Sequence, residues 1–200
     1  MTQQIDQTQE YYAATFVSLD LAEQTITSKV FEECVFDRCA FSDTVFEYCK
    51  FIDCAFRHCD LSNTRVPGSL FQTVEFEECK IIGVDWTRAD WPRFTPHGTL
   101  AFRKSVLDYS SFYGLSLQEL CMEECRAHSV DLRQADFSRA NFSHSDFELA
   151  TFGGTKLAKA DFTEALNYVI DVRNSDIRGA RFTRSEALGL LSGLEITLVD

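Results

Sequence analysis

The sequence predicts an all-β solenoid: one coil built from stacked five-residue units, finished by a short helix and strand. Three observations predict it. A large apolar residue recurs at every fifth position for most of the chain, a small residue stands two places before it, and the three remaining positions are mostly polar. Neither the 3.6-residue period of a helix nor the two-residue period of a strand fits this pattern.

The 200 residues divide into five stretches. Residues 1–13 form a Gln-rich, acidic segment with no positive n-region and no apolar h-region, so no signal peptide is expected. No run of about 18 apolar residues offers a membrane span. The expectation is therefore a cytoplasmic protein with reduced thiols.

Residues 14–91 hold the first coils. From Phe16 the fifth positions read Leu21, Ile26, Phe31, Phe36, Phe41, Phe46, Phe51, Phe56, Leu61, Val66, Phe71, Phe76, Ile81, Trp86 and Trp91. With 45 % apolar residues, sixteen such positions in succession would arise by chance roughly three times in a million, so the period is real. Residues 92–101 break the frame, and Pro92, Arg93, Phe94, Thr95, Pro96, His97, Gly98 and Thr99 read as a loop from their Pro and Gly content. Residues 102–184 resume the period one residue out of phase, from Phe102 through Phe162; Asn167 departs from it, and Val172, Ile177 and Phe182 restore it. In residues 185–200 the repeat stops. Ser185 reads as an N-cap, Glu186–Leu191 as a short helix ended near Gly193, and Glu195–Val199 as a strand.

Two inward positions in every five make each unit one short side of a coil. With four units to a turn, residues twenty apart stack at about the 4.8 Å spacing of β-strands. Seven of the eight cysteines (34, 39, 49, 54, 59, 79 and 125) occupy the small inward position, and only Cys121 does not. Cysteines five apart lie on different sides and cannot converge as ligands, so buried thiols are expected and no metal or cofactor.

Catalytic signals are lacking. His58, His128 and His144 take outward positions and His97 lies in the loop, none beside a nucleophile, and no Gly-rich phosphate loop is present. Acid–base chemistry needs a desolvating pocket, which a filled rod does not offer, so no enzyme is expected. The net charge of −12 argues against direct binding of nucleic acid. Of that charge, −6 falls in residues 14–93 and −1 in residues 100–184. Asp20, Glu23, Asp37, Asp43, Asp60, Glu75, Glu77 and Glu78, on two adjacent sides of the first coils, form a candidate acidic surface for a basic partner.

The units Ala135-Asp136-Phe137-Ser138-Arg139, Ala140-Asn141-Phe142-Ser143-His144 and Ala160-Asp161-Phe162-Thr163-Glu164 match the A(D/N)LxX motif, so the chain resembles the pentapeptide-repeat family over roughly residues 14 to 184. That resemblance implies a right-handed, four-sided β-helix of about eight coils. Gly83-Val84-Asp85-Trp86-Thr87 with Trp91-Pro92, Phe112-Tyr113-Gly114-Leu115, Asn167-Tyr168-Val169-Ile170-Asp171 and the tail from Asp176 through Leu198 are similar to the topoisomerase-protecting branch. The branch comprises the Qnr quinolone-resistance proteins, the mycobacterial fluoroquinolone-resistance protein and, most closely, the albicidin-resistance protein. It implies a head-to-head homodimer that occupies DNA gyrase, and sometimes topoisomerase IV, in place of DNA. Qnr proteins carry two loops, whereas one is evident here. Leu188, Leu191 and Leu194, with Ile196 and Leu198, are the candidate dimer contacts; an end-to-end pair would cover both exposed coil edges. The alternative is a scaffolding coil for another protein partner, with no topoisomerase role.

Overall fold

The computed structural model describes residues 5, 7–92, 99–194 and 196. They form a solenoid of about eight turns with four walls. Strands of different coils pair only in parallel and in strict register. On the first wall Glu10–Tyr12, Val30–Glu32, Lys50–Ile52 and Leu70–Gln72 pair in that order, each twenty residues beyond the last. On the second wall Thr15–Val17, Val35–Asp37, Ala55–Arg57 and Val74–Glu77 do the same. The third wall carries Leu21, Phe41, Leu61 and Ile81, and the fourth Ile26, Phe46, Val66 and Trp86.

The fifth-position residues fill the bore. Ring centroids on the second wall stack at 5.0, 4.6, 4.9 and 5.1 Å from Phe16 through Phe36, Phe56 and Phe76 to Phe102. Neighbouring columns meet edge to face, as Phe31 does on Phe36 at 5.3 Å and Phe46 on Phe51 at 5.2 Å. Both geometries suit the aromatic quadrupole.

Cys, Thr and Ser are preferred at the small position for a reason that spacing alone does not show. Each side chain there donates to the carbonyl of a fifth-position residue one coil back. Cys34 Sγ reaches the Tyr11 carbonyl at 3.4 Å, Thr44 Oγ1 that of Leu21 at 2.7 Å and Ser69 Oγ that of Phe46 at 2.8 Å. Cys54, Cys59 and Cys79 repeat the bond to Phe31, Phe36 and Phe56 at 3.3 to 3.4 Å. The donor must stay protonated, and burial pushes the Cys125 thiol up to about 12.

Corners demand a left-handed backbone. Twenty-five non-glycine residues among those described have positive φ, nearly all two places after a fifth-position residue. Such residues cost about 1 kcal/mol each in isolation. Here their N–H groups donate to the next coil, as Glu33 does to Ile52 and Arg38 to Arg57, both at 2.9 Å. At Pro67-Gly68 the fourth wall turns more tightly. Gly68 has φ +63°, and a Cβ there would come within 2.5 Å of the Tyr48 ring.

The structure amends several expectations. Phe76 pairs with Phe102, and Lys80 with Val106, an offset of 26 instead of 20. The frame break is thus an insertion of six residues in an otherwise unbroken coil. Its strand begins at Leu100, inside the expected loop; Arg93–Gly98 lie outside the described residues, and only Pro92 and Thr99 of the loop are seen. Leu21 and Trp91 are only partly buried. Asn167 stays outside with φ +57°, and Tyr168 takes the inward place instead, its ring 5.4 Å from Phe162 and 5.5 Å from Phe182. Ile170 is buried, whereas Ile177 and Phe182 are partly so. The tail helix is a 3-10 helix, Glu186–Leu194, that passes through Gly193 without ending there. Of the expected strand only Ile196 is described, exposed and outside any strand.

Candidate partner-binding surface

The eight carboxylates singled out in the first coils lie on the second and third walls and differ in their pairing. Five have cationic or imidazole partners, mostly one coil away. Asp37 pairs with Arg38, Asp60 with Lys80 at 3.7 Å, Glu75 with Arg103 at 3.7 Å, Glu77 with Arg57 at 3.7 Å and Glu78 with His58 at 3.2 Å. Four of these carboxylates stand on the second wall, whose outward positions alternate in sign along the rod. These pairs are largely exposed and worth little to stability, but Arg38, Arg57 and Arg103 offset three of the wall's carboxylates. Asp20, Glu23 and Asp43, all on the third wall, have no ion pair among the described residues and are exposed. Glu23 and Asp43 occupy the same corner in adjacent coils: the Glu23 N–H donates to Ser42 and the Asp43 N–H to Ser62.

Further along, the third wall holds a polar ladder that the sequence reading missed. Asp108, 7 % exposed, accepts from Arg126 Nη2 at 2.7 Å and from the His128 N–H at 3.1 Å. The His128 ring lies 3.0 Å from Asp146, which also accepts from Asn167 Nδ2 at 2.7 Å. Burial works to raise Asp146, and its Asn167 and His128 partners outweigh it, so the carboxyl lies below the usual range. The usable signal was there: polar residues twenty apart flank each fifth position of this wall.

The same wall then becomes apolar. Leu149 is 76 % exposed, Val169 63 % and Leu166 46 %, and one coil back the slots of Leu149 and Leu166 hold Ser129 and Asp146. At the C-terminal end Leu188 and Ile196 are exposed, Leu191 and Leu194 half-buried, and Leu190 packs on the core; Leu198 lies outside the described residues. His58 and His144 are exposed, and His97 is not described. Seven cysteines are buried in the inward column, and Cys121 is half-buried outside it. Among the described residues no His, Cys, Asp and Glu cluster could hold a metal ion, and no helix is long and apolar enough to cross a membrane.

Solved structures share this architecture. A trypsin-treated form of QnrB1, described as a plasmid-mediated fluoroquinolone resistance protein, is 21 % identical, with a TM-score of 0.67 over 96 % of this chain and 92 % of that one. A second trypsin-treated form is 20 % identical, with a TM-score of 0.71 over 96 % of this chain and 100 % of that one. Full-length QnrB1 is 22 % identical, with a TM-score of 0.63 over 91 % of this chain and 100 % of that one. At such identity the likeness is one of fold. No curated protein matches the chain. Residues 29–112 match the family described as Pentapeptide repeat region, and residues 121–154 and 128–164 match Pentapeptide repeats (8 copies). The chain therefore belongs to the pentapeptide-repeat family.

Proposed function

We propose that this protein is a non-catalytic mimic of DNA that binds DNA gyrase, or the related topoisomerase IV, and protects it from poisons such as albicidin-like toxins or quinolones. The observation that carries the reading is the unneutralised row of Asp20, Glu23 and Asp43 on the third wall. A rod of eight coils is about 38 Å long at the β-strand spacing, and these three carboxylates stand at one end of it, in two adjacent coils of one wall. A basic groove that holds DNA would attract such a row, and salt would weaken the attraction. The fold shared with QnrB1, a fluoroquinolone resistance protein, and the resemblance to the topoisomerase-protecting branch support the same reading. The arginines that offset three carboxylates of the second wall favour the other reading, a scaffolding coil for a different protein. Supercoiling by purified gyrase, with and without a poison, separates the two. The mimic inhibits supercoiling and lowers poison-dependent cleavage; a chain that does neither is a scaffold.

The mimic reading includes a homodimer through Leu188, Leu191, Leu194, Ile196 and Leu198. In a 3-10 helix residues three apart eclipse one another, so Leu188, Leu191 and Leu194 share a face. Leu191→Asp would bury an unpaired charge at that seam. Light scattering is expected to show a dimer for the wild type and a folded monomer for the variant. A wild type already monomeric at micromolar concentration removes the dimer.

A further inference from the structure

Leu149 is anomalous on two counts. Of the twenty-five non-glycine residues with positive φ it is the one aliphatic residue larger than alanine, and it is 76 % exposed. A left-handed backbone disfavours a branched side chain, and exposure denies it any burial in return. Its corner column in the earlier coils reads Glu23, Asp43, Asn63, Gly83, Tyr109 and Ser129, residues of polar or permissive type apart from Tyr109. Neither the backbone nor the core therefore accounts for a leucine here. Leu166 is 46 % exposed in a slot that is polar in the earlier coils except at Ala40 and Val106. Its slot holds Asp146 one coil back, where the carboxylate caps the corner by accepting from the Glu148 N–H at 3.2 Å. Val169 lies nearby, 63 % exposed between the buried Tyr168 and Ile170. The same wall carries, some six coils away and so at about 29 Å, Asp20, Glu23 and Asp43, three carboxylates without an ion pair among the described residues.

We propose that the third wall as a whole is the recognition face, with Leu149, Leu166 and Val169 seated on an apolar patch of the same basic protein that Asp20, Glu23 and Asp43 attract. This rests on the mimic reading above. The partner's contact surface is then bipartite, a cationic groove and, about 29 Å along it, a dry patch. The carboxylates set the rate and salt dependence of encounter, and the aliphatic cluster sets the lifetime of the complex.

The test uses the full chain and purified DNA gyrase, with binding measured at low and high salt. The triple variant Leu149→Asn, Leu166→Asn, Val169→Thr installs residues that suit a left-handed corner, a corner cap and an exposed site, so its thermal midpoint is expected to equal or exceed that of the wild type. Its affinity is expected to fall about tenfold or more at both salt concentrations through faster dissociation, with an unchanged salt slope and an unchanged mass in light scattering. A companion Asp20→Asn, Glu23→Gln, Asp43→Asn variant is expected to lose salt dependence instead. Unchanged affinity of the aliphatic variant, with wild-type binding intact, overturns this inference alone. A halved mass overturns it in favour of a seam between two copies. Failure of the wild type to bind gyrase overturns the mimic reading, and this inference with it.

Discussion

The two halves of the rod obey one period and yet turn their corners differently. In residues 14–91 three walls run as short strands, and the position before the fifth-position residue is often Val or Ala, as in Val30, Val35, Val45 and Ala55. From residue 131 to 176 that position is most often Asp or Asn. There the side chain accepts from the N–H two residues on: Asp136 from Ser138 at 3.1 Å, Asn141 from Ser143 at 3.0 Å and Asp161 from Thr163 at 3.0 Å. The corner closes as a β-turn, and Ala140 N–H donates to Phe137 and Ala165 N–H to Phe162. Asp20, Asp60 and Asp85 do the same in the first half, at turns and not at strands. The short polar side chain that mimics a backbone turn selects the corner, whereas β-branched residues keep the chain extended. Two local chemistries thus build one tertiary geometry, the first leaning on aromatic columns and side-chain-to-carbonyl bonds, the second on capped turns.

The largest effect should come from the aromatic columns. Phe56 stacks between Phe36 at 4.6 Å and Phe76 at 4.9 Å, so Phe56→Ala is expected to cost about 3–5 kcal/mol in urea unfolding. An equal loss from Arg57→Ala next door, expected within about 0.5 kcal/mol, would refute the inward register.

Corner chemistry is tested by Asp136→Ala, expected to cost about 1 kcal/mol, against Val35→Ala, where no cap exists to lose. A similar loss at both sites would erase the distinction between the halves.

The small position separates donor from volume. Cys54→Ala removes the bond to the Phe31 carbonyl and should cost about 1 kcal/mol, while Cys54→Ser keeps a donor and should retain most of that stability. Serine no better than alanine would show that packing alone selects cysteine.

Acid should distinguish the halves as well. Asp131 is held below the usual range by the Arg133 guanidinium, and Asp176 is held at about 2 by that of Arg178. Burial of Asp136 and Asp161 works to raise them, and the N–H and hydroxyl of Ser138 and Thr163 outweigh it. A carboxyl lowered by folding stabilises fully above its unfolded value, about 3.9, and loses that contribution as pH falls through the folded value. Hydrogen exchange between about pH 4 and pH 2 is expected to show residues 102–184 losing protection before residues 14–91. The reverse order would mean that the caps do not govern stability.

Much of this molecule was legible because its units are local. A large and a small inward residue every five positions, with Pro and Gly at the break, place the bore, seven buried cysteines and the interruption without any knowledge of what lies across the coil. The corner code was legible too, in Asp136, Asn141 and Asp161. The charged surface was not. Whether Glu77 is free depends on Arg57, twenty residues back, and whether Glu75 is free depends on Arg103, which the six-residue insertion brings beside it. Counting charge by wall therefore does not tell which carboxylates of the two walls find a partner in the next coil. Asn167 and Tyr168 make the same point in the core. Periodicity assigns the bore to Asn167, but burying an unpaired amide costs more than one left-handed residue, so the chain slips and the tyrosine ring fills the space between Phe162 and Phe182. The sequence by itself determined the coil, its period and its corners, because each follows from neighbours within five residues. Which charges remain unneutralised and which apolar side chains face outward was decided by the tertiary structure, because those properties belong to pairs of coils.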